Sequence, residues 1–183
     1  MNAEELLKQY RAGKRNFQQL DLAQVILTNT HLSQINLSQA KLTEADFTGT
    51  NFEKAIFYQA NLNLSNLSQA KLTEADLRST CLKSALLYKT DFGKAQLKKA
   101  NLSQAILQRA FLREANLKEA NLADANLTGA NLIDANLMGA NLAQANLNNA
   151  FLQGANLAQA CLDRVDLSQA ILTGAIMPDG TIC

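Results

Sequence analysis

The chain has 183 residues, of which 48% are hydrophobic and 5% aromatic, with no Trp, one Pro and one His. Its formal net charge is +1, and no segment approaches the roughly 18 consecutive apolar residues of a membrane span, so a strongly charged protein and a membrane-spanning helix are excluded. The excess of Leu, Ala, Asn and Gln is unusual for an enzyme of this length and indicates an internal repeat.

The N-terminal segment has the signals of a short helix. Asn2 can cap it, Glu5 follows three residues later and Gly13 can end it, which predicts a helix from Ala3 to about Arg11. Its apolar stripe consists of Leu6, Leu7 and Tyr10. The segment is acidic at its start and has no apolar stretch of the kind found in secretory leaders, which favours a cytoplasmic location.

From Phe17 to Met177 a large apolar residue recurs every five positions, without insertion or deletion. We call these 33 residues the centres; 27 are Leu, five are Phe and the last is Met177. Two residues before the centre Ala occurs in 23 of the 33 pentads. The residue just before the centre is Asn in 14 pentads and Asp in five. The chain is therefore one continuous array of pentads.

A period of five fits neither a long helix nor a straight strand. On a helix each step of five residues turns by ~140°, which would spread the centres around the cylinder. On a straight strand an odd period would place successive centres on opposite faces. A short extended piece followed by a bend in every pentad keeps Ala and Leu inward, and such a chain coils into a solenoid with coils about 4.8 Å apart.

Runs such as NLADA NLTGA NLIDA, which begins at Asn121, resemble the pentapeptide-repeat family, whose pattern is A(D/N)LXX. The resemblance covers Arg15 to about Asp179, and the ends resemble short members that are common in cyanobacteria. It implies an all-β fold, a right-handed quadrilateral parallel β-helix with four pentads per coil, in which residues 20 apart stack, and about eight coils. We expect residues 1–14 to form a capping helix, residues 15–179 the β-helix, and residues 180–183 a C-terminal tail after Pro178.

The sequence gives no support for catalysis or for a metal site. With His31 as the single histidine, no Ser/His or Cys/His catalytic constellation and no His-rich metal cluster can be assembled, and the acidic residues are scattered over outward positions. We therefore predict no enzyme, no cofactor and no metal. The three cysteines, Cys81, Cys161 and Cys183, form no CxxC motif, and Cys81 and Cys161 are interpreted as incidental surface thiols.

The charges are distributed unevenly along the array. Residues 71–118 carry ten basic and four acidic groups, whereas residues 119–183 carry one and six. Within the basic belt Arg78, Lys98 and Lys118 occupy the same pentad position on successive coils, with Lys99 beside them. We call these four residues the basic patch, a candidate site for an anion or an acidic partner. The alternative is a solvated basic face.

Apolar residues at outward positions are the second anomaly. Phe111, Phe151 and Ile171 stand where the repeat normally has Asn or Asp, and Ile133 is expected to fill the rung between them. We call these four residues the apolar strip, a candidate interface that predicts a monomer or a weak homodimer. The alternative is scattered apolar decoration. A smaller group on another face consists of Leu86, Tyr88 and Ile106.

Two functions are compatible with the resemblance. One branch of the family mimics DNA through a strongly negative rod and binds DNA gyrase, but a net charge of +1 and a basic middle belt disfavour that role here. The leading prediction is a non-catalytic protein-interaction or structural scaffold. Its partner is an unknown protein, and we expect no nucleic acid or membrane partner.

Overall fold

The structure is a computed structural model that describes residues 1–183. A single helix, α1 (Ala3–Arg11), precedes a right-handed, four-sided parallel β-helix. No helix in it combines the length and the hydropathy that crossing a bilayer requires. Each pentad except that of Asp166 contributes one residue to the sheets, the residue before the centre. That residue forms parallel bridges with the residues 20 positions away along the chain, from Asn16↔Asn36 to Asn156↔Ile176, and only the pair Asn146 and Asp166 is not bridged within this range. The predicted all-β β-helix is thereby confirmed.

Each pentad is closed by a tight turn. In the pentad centred on Leu37, the amide of Ala40 donates to the Leu37 carbonyl at 3.1 Å, and Gln39 between them has a φ of 58°. The same position has a positive φ in every pentad from Gln19 to Gly174 except that of Gln169, and five glycines stand there, including Gly129 at 65°. One bend per pentad produces the four-sided coil.

The preference for Asn or Asp before the centre has a local cause. Every one of the 14 Asn and five Asp side chains at that position accepts a hydrogen bond at 2.8–3.3 Å from the amide two residues later, as Asn36 does from Ser38. This bond fixes the entry to the turn, as in an Asx turn. An apolar residue at the same position gives the bond up.

The interior of the rod is a stack of centres and alanines. All centres from Phe17 to Leu157 are at most 3% exposed. Phe47, Phe52 and Phe57 lie in one coil, and their rings meet edge to face with centroids 5.1 and 5.0 Å apart. Four buried hydroxyl residues replace alanine, and each donates to a main-chain carbonyl: Thr50, Ser65, Thr80 and Thr90.

Helix α1 covers the first coil. The Asn2 side chain accepts from the amide of Glu5 at 2.9 Å, as the capping signal predicts. Leu6 is fully buried, and the Tyr10 hydroxyl donates to the carbonyl of Ser33 at 2.8 Å. The guanidinium carbon of Arg15 lies 3.9 Å from the centroid of the Tyr10 ring. These contacts tie the helix to the rod.

The last residues fold back onto the final coil. Ile176 and Ile182 form an antiparallel bridge, and the amide of Met177 donates to the carbonyl of Thr181 at 2.7 Å. Residues 180–183, expected as a tail, therefore make one arm of a small hairpin. The centres of the last pentads pack against the core but are only half-buried: Leu162, Leu167, Leu172 and Met177.

Candidate interaction surfaces

Three members of the apolar strip lie on one ladder of bridges. Phe111 pairs with Asn131, Asn131 with Phe151, and Phe151 with Ile171. Phe111 is 49% exposed, Phe151 39% and Ile171 43%. Phe151 and Ile171 are therefore direct neighbours, whereas the amide side chain of Asn131 separates Phe111 from them.

Ile133 lies beside this ladder. It follows Asn131 by two positions, its amide donates to the Asn131 Oδ1 at 3.1 Å, and its side chain is half-buried. Its carbonyl accepts from the amide of Glu114, so it belongs to the row that contains Arg113 and Gln153. Ile133 widens the apolar strip sideways and does not bridge Phe111 to Phe151.

The surroundings of the apolar strip change along the rod. Next to Phe111 lies a groove of about 390 Å³, which opens where Gly93 has no side chain. Arg113 pairs there with Asp134 at 3.2 Å, so charged side chains frame the ring. Beside Phe151 and Ile171 the corresponding positions are uncharged and two of them lack side chains: Gln153, Gly154, Thr173 and Gly174.

Exposed apolar residues also occur elsewhere. Leu86 and Ile106 are bridged to each other on a second face, as the sequence indicated, and are 42% and 37% exposed. Sequence reasoning overlooked Ile26, which is more exposed than any member of the apolar strip and lines a groove of about 450 Å³ beside the start of α1. The signal was available, because Ile26 also stands where the repeat prefers Asn or Asp.

Two of the four cations in the basic patch are neutralised. Arg78 donates to both carboxylate oxygens of Asp76, at 2.8 and 2.6 Å, and stacks 5.6 Å from the Tyr58 ring centroid. The hydrogen bond to Asp76 raises the pKa of Arg78. Lys99 lies 3.5 Å from the carboxylate of Glu119. Lys98 and Lys118 form no ion pair, and so they are the free cations of the basic patch.

The remaining polar groups do not converge on a reactive centre. His31 lines a groove of about 390 Å³ between α1 and the first coils, together with Tyr10 and Arg11. No three His, Cys, Asp or Glu side chains come together as a metal site requires. The three cysteines are free thiols, two of them half-buried and Cys183 exposed.

The chain resembles known proteins over its whole length. A model of pentapeptide repeats matches it in eight copies, over residues 21–59, 57–87, 95–132 and 135–174. No protein of curated function matches. HetL, a pentapeptide repeat protein involved in heterocyst differentiation regulation from the cyanobacterium Nostoc sp. strain PCC 7120, is 35% identical; all of both chains is covered, with a TM-score of 0.43.

Two further solved structures are more distant in sequence. Trypsin-treated QnrB1, a plasmid-mediated fluoroquinolone resistance protein, is 18% identical over 90% of this chain and 91% of its own, with a TM-score of 0.63. Rfr23 from the cyanobacterium Cyanothece 51142 is 24% identical over 91% and 98%, with a TM-score of 0.32. The QnrB1 likeness concerns the fold alone. The repeat model covers well over half of the residues, and with the HetL identity it shows that the chain belongs to the pentapeptide-repeat family.

Proposed function

We propose that this protein is a non-catalytic interaction scaffold whose protein partner contacts the apolar strip. Pentapeptide-repeat proteins are in general structural or interaction scaffolds, and no catalytic family is indicated for this chain. HetL is involved in the regulation of a differentiation process, a role that is compatible with binding another protein. The partner is a protein rather than a nucleic acid or a membrane, and the scaffold is a monomer or a weak homodimer.

One observation carries the proposal. At the position before the centre, Asn or Asp gives every pentad that has it a hydrogen bond to the amide two residues on, as Asn131 does to Ile133. Phe111, Phe151 and Ile171 forgo that bond and leave large apolar side chains exposed. At these three positions the turn lacks that hydrogen bond, and an exposed aromatic side chain is a frequent anchor in protein interfaces.

The C-terminal half of the apolar strip is suited to a flat contact. Gly154 and Gly174 place no side chain beside Phe151 and Ile171. The Asp134 carboxylate lies against Gly154 and is paired with Arg113 at 3.2 Å, and the amide of Gly174 donates to the carbonyl of Cys183 at 2.7 Å. A partner can therefore approach closely without leaving a charge unpaired. The area is small, so the affinity for a partner or for a second copy is modest and depends on concentration.

Affinity capture with matched variants tests the proposal. The wild-type protein, Phe111→Asn/Phe151→Asn and the control Leu86→Asn/Ile106→Asn are used as baits in lysate of the native cell. The control removes two exposed apolar residues from another face and introduces the same amides. A partner that the wild type and the control retain, and that the Phe variant loses, is the expected result. Partners bound equally by all three proteins would show that the apolar strip is surface decoration.

A further inference from the structure

On one face of the β-helix the main-chain pairing between two successive coils is missing; we call each such pairing a rung and this one the open rung. Asn126 and Asn146 are bridged on their face, but the next pair on that face, Asn146 and Asp166, is not. The adjoining faces of the same two coils remain joined. The amide of Cys161 donates to the carbonyl of Ala140 at 2.9 Å, and the amide of Ile171 donates to the carbonyl of Ala150 at 3.0 Å. The opening is therefore confined to one face of one coil.

The open rung leaves three main-chain groups of the lower coil without partners. In the regular rung below it, the amides of Leu127 and Gly129 donate to the carbonyls of the next coil at 2.8 and 2.9 Å. The equivalent amides of Leu147 and Asn149 donate no hydrogen bond, and the carbonyl of Ala145 accepts none. Leu147 and Ala145 are buried residues, and unpaired main-chain groups in such places are unfavourable.

A groove of about 230 Å³ lies at this opening. Its lower wall runs from Gln144 to Asn148, and Arg164 and Asp166 form the upper wall. Val165 and Leu167 of the displaced segment are only half-buried. The groove itself has one charge of each sign, Arg164 and Asp166. The other five acidic groups of residues 119–183 lie outside the groove, and they favour basic residues at the ends of a ligand.

We infer that this edge is a docking site for an extended peptide segment of a partner protein, which adds to the coil as a parallel strand. A main chain is the ligand that presents a donor for the Ala145 carbonyl and two acceptors for the Leu147 and Asn149 amides at the spacing of a strand. An apolar side chain that follows the donor residue would face inward beside Val165 and Leu167. Basic residues at either end of the segment complement the acidic C-terminal region.

The test uses a synthetic peptide, acetyl-KANLTGAK-amide, which repeats residues 125–130 of the chain between two lysines. Amide hydrogen exchange followed by NMR is the readout, with Leu127 and Gly129 as internal references. Without peptide, the Leu147 and Asn149 amides exchange faster than the references; with about 1 mM peptide they slow at least about tenfold, while the references do not change. Absence of such protection at that concentration overturns the inference.

A matched peptide tests the strand geometry. Replacing the peptide's asparagine by proline removes the amide that donates to the Ala145 carbonyl and keeps the apolar and basic residues. Its affinity falls at least about tenfold if the contact is a main-chain ladder. Equal binding of the two peptides would show that side chains alone hold the peptide, which contradicts the inference.

Disulfide closure of the open rung provides a second arm. In a background with the three native cysteines replaced by serine, oxidised Asn146→Cys/Asp166→Cys joins the two coils and is expected to lose the peptide, and reduction restores binding. Asn126→Cys/Asn146→Cys shares one substitution and closes a rung that is already paired, so it binds in both redox states. Peptide binding by oxidised Asn146→Cys/Asp166→Cys would show that the open rung is not the binding site. The variant Phe111→Asn/Phe151→Asn alters the apolar strip and not the open rung, so it is expected to bind the peptide like the wild type. Failure of the peptide test therefore does not affect the proposal for the apolar strip, and the reverse also holds.

Discussion

Arg78 and Asp76 lie in one pentad and are joined by two side-chain hydrogen bonds, Nε to Oδ1 at 2.8 Å and Nη2 to Oδ2 at 2.6 Å. The Asp76 Oδ1 also accepts from the Arg78 amide at 3.1 Å, as the repeat prescribes. One carboxylate thus fixes the turn and neutralises a cation of the basic patch. Any anion that binds the basic patch would therefore depend on Lys98 and Lys118.

This pair makes the stability of the rod sensitive to acid. Burial raises the pKa of Asp76, but the hydrogen bonds and the charge of Arg78 lower it by more, so the net pKa is below 3.8. A carboxyl whose pKa is lowered in the folded state stabilises the fold above the pKa of the unfolded chain, about 3.9, and this contribution is lost as the pH falls through the folded value. We therefore expect the denaturant concentration at which half of the wild-type protein is unfolded to decrease once the pH falls below about 4.

The substitution that checks this expectation is Asp76→Asn, because Asn is the residue that the repeat prefers there. The variant should lose less stability than the wild type between about pH 5 and 3, and Arg78→Gln should flatten the same part of the profile. Denaturant unfolding at several pH values gives the comparison. Parallel profiles for all three proteins would mean that the pair contributes nothing.

The interior is expected to tolerate truncation poorly. Leu102 is fully buried, and the paired coils above and below hinder collapse around it. Leu102→Ala should lower the free energy of unfolding by about 2–5 kcal/mol. The exposed-face control Lys98→Ala should change it by less than about 0.5 kcal/mol. A loss below about 1 kcal/mol for Leu102→Ala in urea unfolding would reveal a looser core.

Removing α1 should open the first coil. Deletion of residues 1–13 removes Leu6 and the Tyr10 hydroxyl bond to Ser33, and leaves Phe17 and the unpaired edge of the first coil exposed to solvent. We expect aggregation or fraying, measured by light scattering and by hydrogen exchange of the first coils. Leu6→Ala is a milder version that should show faster exchange in the same coils. A truncated protein that stays monodisperse with unchanged stability would show that α1 is not a cap.

Replacing the two phenylalanines of the apolar strip should remove self-association without lowering the stability of the fold. In Phe111→Asn/Phe151→Asn each new amide can accept from the amide two residues later, so thermal stability should be equal to or above that of the wild type. Sedimentation over a range of concentrations should show weak, concentration-dependent self-association of the wild type and none for the variant. Leu86→Asn/Ile106→Asn, with the same chemistry on another face, should associate like the wild type. Monomeric behaviour of all three proteins would remove self-association from the proposal.

The charge distribution predicts no effect on DNA gyrase. A DNA mimic needs a continuous negative surface, and here residues 71–118 carry ten basic groups against four acidic ones. The purified protein should leave the supercoiling activity of gyrase unchanged. Potent inhibition of supercoiling would contradict this prediction and support the hypothesis that the protein mimics DNA in spite of its basic belt.

Much of the architecture could be read from the periodicity alone. A spacing of five with Ala and Leu two apart allows only a chain that bends once per pentad, so the inward centres and the turns follow from local geometry. The number of pentads per coil, and with it the stacking of residues such as Asn36 and Ile56, was implied by the family resemblance. The signals for α1 were also local, because capping involves residues three apart in sequence. The outward position of Phe111 and Phe151 followed from the same register.

Other features depend on contacts that the period does not encode. The pairing of Lys99 with Glu119, the position of Ile133 beside the ladder rather than in it, and the hairpin of Ile176 with Ile182 are set by which side chains and main-chain groups meet across coils. The sequence between Asn146 and Asp166 keeps the repeat without a break, yet that rung is open. Local sequence determines how each pentad bends, whereas the closing of each rung depends on the combined energy of packing and hydrogen bonding between coils, which only the tertiary structure decides.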